Sequence, residues 1–299
     1  MDTPSPSLAG IFPPVPTAFN DNGDLHLDAF QSNLGRWNQE PLSGYVVGGS
    51  NGEFVLLTPE ERLAVVGAAR QVVPQDRLLI GGAGAESTRG TLELAEGMSE
   101  IGVDALLVVT PNYYKSLMTA TAYVRHYTFI ADRVSVPLIL YNVPANTGIN
   151  LPAEAVRELA GHPRIVGMKD SGGDIVRLAG IVADTPSDFQ VMAGSASFVL
   201  AGLSVGAVGC VPALGNLAGR ALAQMMALFH DGDIESARGI QQRLLVPNRA
   251  VTSQYGVPGL KCGLDLLGYY GGPVRGPLVP LSDADRDEVG RILREAEIL

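Results

Sequence analysis

Cysteine is nearly absent. The two that occur, Cys210 and Cys262, are too few for a disulfide framework and are not spaced as metal ligands, which suits a reducing compartment and leads us to expect a cytoplasmic protein. Histidine is also scarce: His26, His126, His162 and His230 are scattered without the spacing of a metal site, so they are read as surface or packing residues and no metal is expected. Charged residues make up only 17% of the 299 positions, and no Lys/Arg cluster stands out in a chain of net charge −10. Nucleic acid and anionic membrane are therefore not expected as partners. The N-terminus lacks the basic region and apolar core of a signal peptide, and no apolar run reaches the roughly 18 residues of a membrane span. Hydrophobic residues, by contrast, make up 46%, which excludes a disordered chain and fits a compact enzyme or an oligomer. In so acidic a chain an anionic substrate would need a local positive group.

Apolar runs alternate with helix-like patterns from the start of the chain to about residue 215. Strands are expected near 10–18, 44–49, 77–83, 105–110, 137–142, 165–169, 189–194 and 206–211, each almost continuously apolar, as parallel strands covered on both faces are. Between them lie stretches such as 59–70, where Thr58 suits an N-cap, Pro59 the first helical position, and Leu63, Val66 and Ala69 follow helical spacing. Eight such units point to an α/β fold, a (β/α)8 TIM barrel, in preference to a doubly wound sheet. No Gly-x-Gly-x-x-Gly follows the first strand to bind a dinucleotide, and Gly82-Ala-Gly84 is read as a close backbone approach at the rim. Beyond residue 215, the stretches 217–229, 234–245 and 283–296 repeat apolar positions at helical period. The expected organisation is a barrel over 1–215 carrying the active site and a C-terminal helical extension over 216–299. The extension should pack on the barrel, since no Gly-, Ser- or Pro-rich linker separates the two.

Barrel enzymes place their chemistry at the C-terminal ends of the strands. Those ends carry a lysine, tyrosines, serines and glycines here, with neither paired carboxylates nor histidines. The sixth apolar segment delivers Lys169 to its end just before Asp-Ser-Gly-Gly, and the fifth brings Tyr141 to the corresponding place. Neighbouring strands lie about 4.8 Å apart and side chains alternate faces. Ile165, Gly167 and Lys169 should then share one face and Ile139 and Tyr141 the matching one, so that inward-pointing faces bring phenol to amine. An apolar interior disfavours an ammonium charge and frees the amine to attack a carbonyl. The protonated imine is an electron sink through which a C–C bond β to that carbon can form or break. Tyr141 is placed to carry the proton, with Ser50 and a second tyrosine able to relay it. Glu53 is read as structural, favourable at a helix N-terminus, and Tyr114, Tyr269 and Tyr270 as packing or interface residues.

Three motifs, Gly49-Ser-Asn-Gly-Glu53, Tyr141-Asn-Val-Pro-Ala-Asn-Thr-Gly148 and Gly167-Met-Lys-Asp-Ser-Gly-Gly-Asp174, together with Tyr269-Tyr-Gly-Gly-Pro273, resemble the signatures of the pyruvate-dependent class I aldolase family that contains dihydrodipicolinate synthase and N-acetylneuraminate lyase. The resemblance runs from Gly10 to about Leu281, and within the family it is greatest to the 4-hydroxy-2-oxoglutarate aldolases. It implies a Schiff base at Lys169, proton transfer by Tyr141, and a hydroxyl relay through Ser50 and through Tyr113, the latter inserted from a neighbouring subunit of a homodimer or homotetramer. It places Asn51 where its backbone amide holds the pyruvate carboxylate, and it implies no cofactor. Synthases of the family usually carry, in the loop after the tyrosine strand, an arginine that grips the aldehyde's carboxylate; this chain has Asn146, and Ser171 is a candidate to bind that carboxylate instead. The expected reaction is therefore cleavage of 4-hydroxy-2-oxoglutarate to pyruvate and glyoxylate. The alternatives are dihydrodipicolinate synthesis, sugar-acid aldol or dehydratase chemistry, and a catalytically idle paralogue that binds a 2-oxo acid.

Overall fold

A computed structural model describes residues 5–299. Eight parallel strands form a sheet in the order β1-β8-β7-β6-β5-β4-β3-β2: β1 Gly10–Ile11, β2 Gly44–Val47, β3 Leu78–Gly82, β4 Ala105–Val109, β5 Leu138–Asn142, β6 Ile165–Asp170, β7 Gln190–Ala193 and β8 Gly209–Cys210. The first and last strands of that order meet through a parallel bridge between Pro14 and Val46, where Val15 N–H donates to Val46 O (3.0 Å) and Val46 N–H to Pro13 O (3.0 Å). The sheet thus closes, and the expected (β/α)8 TIM barrel with C-terminal helices is what the chain forms.

Two departures have physical causes. The first strand, expected over 10–18, is regular only at Gly10–Ile11, because Pro13, Pro14 and Pro16 offer no N–H to a ladder. Within β6 the pairing shifts: Leu138 opposes Ile165 but Ile139 opposes Gly167, so Val166 is the extra residue of a bulge. Ile165 consequently packs outward with the helices, and Val166 joins Leu8, Ile80, Leu107, Ile139 and Met192 in the barrel interior. From Gly167 onward the expected parity holds. Gly167 is itself required by close approach, since a Cβ there would stand 2.2 Å from the Gln190 carbonyl oxygen.

The expected helix after β2 spans Pro59–Val72. Thr58 and Glu61 form a reciprocal capping box at its start, with Thr58 N–H to Glu61 Oε2 at 2.9 Å and Glu61 N–H to Thr58 Oγ1 at 3.3 Å. After β8 come Gly215–His230, Ile234–Arg249, Gly256–Leu266 and Asp283–Glu295, with a single wide π-turn at Ala250–Gln254. The helix Gly256–Leu266 escapes sequence reading because Gly256, Pro258, Gly259 and Gly263 all disfavour helix; burial of Leu260, Cys262 and Leu264 overrides them. One continuous hydrophobic cluster joins these helices to the barrel wall, from Ile11 and Trp37 through Leu222, Leu244 and Leu264.

Candidate active site

Lys169 and Tyr141 are register partners on adjacent strands at the C-terminal end of the barrel. Both are buried, and Lys169 Nζ lies 4.0 Å from the centroid of the Tyr141 ring. The strand alternation that turns Lys169 inward turns Asp170 outward. There Asp170 accepts from Asn142 Nδ2 (3.0 Å) and Gly172 N–H (2.7 Å), which fixes the glycine loop and leaves the amine without a facing carboxylate.

Ser50 begins a short turn, Ser50–Gly52, directly after β2, and its Oγ is 3.4 Å from the Tyr141 hydroxyl. Burial by itself raises the Tyr141 phenol, but the neighbouring Lys169 charge, with hydrogen bonding from Ser50, Lys169 and Ser171, outweighs it and brings the phenol below its ordinary value. A phenol so placed gives up its proton more readily than a free one. Ser171 fits beside Gly194 only because that residue has no side chain: a Cβ at Gly194 would stand 1.9 Å from Ser171 Oγ.

A cleft of about 640 Å³ opens above these groups and is lined by Ser50, Asn51, Tyr141, Asn146, Lys169 and Ser171, all anticipated from sequence. Tyr113 is not among its walls. The loop after β4 is clamped by Glu86, whose carboxylate accepts from Asn112 N–H (3.0 Å), Asn112 Nδ2 (2.8 Å) and Tyr113 N–H (2.9 Å), and the clamp leaves the Tyr113 side chain 77% exposed. Within one chain Tyr113 therefore does not reach Tyr141.

The reading of Glu53 as a favourable charge at a helix N-terminus is corrected. Glu53 is a buried, left-handed residue (φ 56°) whose Oε1 lies 2.6 Å from Lys261 Nζ and whose Oε2 accepts from Arg275 N–H at 2.8 Å. It ties the turn that carries Ser50 to the C-terminal helices. The far wall of the cleft, Asn248, Arg249, Thr252 and Ser253, also went unforeseen. These residues come from a helix end and the π-turn after it, where a lone Arg reads as solvated and nothing in the sequence marks a site.

A barrel cleft that sets a buried amine against a phenol, with no carboxylate among its described walls, holds the groups that imine chemistry uses. The model of the dihydrodipicolinate synthetase family matches residues 7–296, and the chain belongs to that family. It is a carbon–carbon lyase of the class I aldolase type. Similar proteins include a 4-hydroxy-tetrahydrodipicolinate synthase of Exiguobacterium sp., 34% identical over 92% of this chain and 93% of that one. A DapA-like lyase of Halobacterium salinarum, itself uncharacterized, is 37% identical over 93% and 91%. Among solved structures, the chloride-inhibited dihydrodipicolinate synthase from Acinetobacter baumannii complexed with pyruvate superposes with a TM-score of 0.93 at 28% identity, covering 98% of this chain and 100% of that one.

Proposed function

We propose that Lys169 condenses with the ketone of pyruvate, releasing water, and that the resulting imine exchanges a C3 proton with Tyr141 to give an enamine that adds to an aldehyde. Run in reverse, the same steps cleave a 4-hydroxy-2-oxo acid. The observation that carries this reading is the pairing of buried Lys169 Nζ with the Tyr141 ring at 4.0 Å in a cleft whose described walls hold no carboxylate. Ser50 relays protons to Tyr141, Tyr113 of a second copy completes the relay, and the backbone amide of Asn51 receives the pyruvate carboxylate. Ser171 and Asn146 face the second substrate. Exposed Tyr113, Tyr114, Leu117 and Val55 support self-association as a homodimer or a pair of dimers. Two free, buried cysteines suit the cytoplasm.

For the second substrate, the names of the synthase relatives support condensation with aspartate semialdehyde ahead of the 4-hydroxy-2-oxoglutarate cleavage that the sequence motifs favoured. The cleavage reaction stands second on one observation: a neutral Asn146 lines the cleft in the loop where synthases usually carry a gripping arginine. Comparing kcat/KM for both reactions on one preparation decides between them.

The mechanism is tested by incubating the protein with pyruvate and borohydride. A reduced three-carbon adduct is expected on the peptide containing Lys169, and on none in Lys169→Ala; folded wild-type protein of unchanged mass would remove the imine. Tyr141→Phe keeps the ring but not the proton, so trapping should persist while turnover falls by about 10²-fold or more. Near-normal turnover would make Tyr141 a packing residue.

A further inference from the structure

The chain carries a net charge of −10, yet among the described residues the cleft is lined by two basic side chains, Lys169 and Arg249, and by no acidic one. Lys169 is committed to the carbonyl carbon, so among the described lining residues Arg249 is the one basic side chain left to meet a second anionic group. It is the last residue of the helix Ile234–Arg249, immediately before the π-turn Ala250–Gln254, a feature that interrupts helices where side chains must be re-aimed. Its position is anchored from both sides. Asn248 is buried and donates through Nδ2 to Ser195 Oγ at 3.0 Å, and Thr252 Oγ1 donates to the Asn248 carbonyl at 2.6 Å. Arg249 itself is exposed and has no ion pair with any described carboxylate, although many arginines of the chain do. An arginine without an ion pair, in a wall shared with Ser195 and Ser197, suits a carboxylate more than a neutral tail.

Resting on the imine reading, we infer that Arg249 forms the subsite for the distal carboxylate of the second substrate, taking from the C-terminal side of the cleft the role that Asn146 lacks the charge to fill. The acceptor is then a carboxylated aldehyde and the cleavage substrate a dianionic 2-oxo acid. In cleavage the C3–C4 bond breaks, its electron pair passes into the Lys169 imine to give the enamine, and the C4 hydroxyl proton goes to Tyr141. Neither step needs an oxidant or a reductant.

The test uses matched substrates differing at one group. 4-Hydroxy-2-oxoglutarate and 4-hydroxy-2-oxopentanoate both release pyruvate, but C4 bears a carboxylate in the first and a methyl in the second. In the condensing direction, aspartate semialdehyde is set against 3-aminobutanal, which has a methyl in place of the carboxylate. Arg249→Ala should lower kcat/KM for the member of a pair that bears the distal carboxylate by about 10-fold or more relative to the member with a methyl there. Arg249→Lys should recover part of that loss, because it restores the charge without the fork. A greater loss with aspartate semialdehyde assigns the subsite to the longer acceptor, and a greater loss with hydroxyoxoglutarate to the shorter. Equal losses on both members of each pair, or none, overturn the subsite. Borohydride trapping of pyruvate on the wild-type protein is scored separately, so a failed imine is not confused with a failed subsite.

Discussion

Removing either end of the Glu53–Lys261 pair should be among the most destabilising single changes in this protein. Both side chains are 1% exposed, their charged atoms are 2.6 Å apart, and Lys261 Nζ donates also to Pro273 O at 2.7 Å while sitting 4.5 Å from the Phe19 ring centroid. Burial outweighs the attraction of Glu53 and holds the Lys261 ammonium below its ordinary value, a sign of how poorly water reaches it. Lys261→Met keeps most of the volume but strands a buried carboxylate; Glu53→Gln keeps the shape but strands a buried ammonium. Breaking such a pair costs about 3–5 kcal/mol, whereas replacing both partners costs less than the two single changes combined, with a coupling of roughly 0.5–3 kcal/mol. Urea titrations of the wild type, the two single variants and the double variant measure all four corners. Because Glu53 is three residues from Ser50, the single variants should also lose turnover more than they lose pyruvate trapping. Single-variant losses below about 1 kcal/mol, or strict additivity, would refute a buried, mutually dependent pair.

Two further expectations concern assembly and pH. If Tyr113 acts across a subunit interface, mixing inactive Lys169→Ala subunits with Tyr113→Phe subunits should raise activity above either parent, since one site of a mixed dimer recovers both wild-type residues; no rise after verified subunit exchange would return Tyr113 to the surface. Burial holds the His126 imidazole down at about 4, with Nδ1 against Thr88 Oγ1 at 2.9 Å. Its folded value lies below the unfolded one of roughly 6.5, so its contribution is full above pH 6.5 and is lost as pH falls toward 4, a difference of about 3 kcal/mol at most. His126→Gln should flatten the fall in stability between pH 7 and pH 4, and parallel curves for the two proteins would contradict the assignment.

The parts of the site that were legible from sequence are those fixed by strand geometry. Lys169 and Tyr141 could be paired because parallel strands alternate faces, and Ser50 was found because barrel chemistry sits at the C-terminal strand ends. Strand geometry failed at Ile165, where the Val166 bulge reverses one residue's face, and in β1, where prolines stop the ladder early. Glu53 was seen but misread, because its partner Lys261 lies more than 200 residues away in a helix whose glycines and proline conceal it. No local pattern contains that contact.

That division follows the chemistry. The half of the reaction common to any pyruvate imine needs only an amine, a phenol and a hydroxyl at fixed spacing, and adjacent strands hold these against a packed interior. The half that chooses the second substrate depends on groups that are free to change without disturbing the barrel. On the proposed reading they are Asn146 in the exposed helical turn Pro144–Thr147 and Arg249 at the end of the helix Ile234–Arg249. Exchanging a charge between two such positions costs the fold little, since neither residue is buried. Motifs drawn from the strand ends therefore identify the imine chemistry while saying little of the substrate. The C-terminal helices are braced to the Ser50 turn through Lys261 and Glu53, and on the proposed reading they supply specificity as well as support.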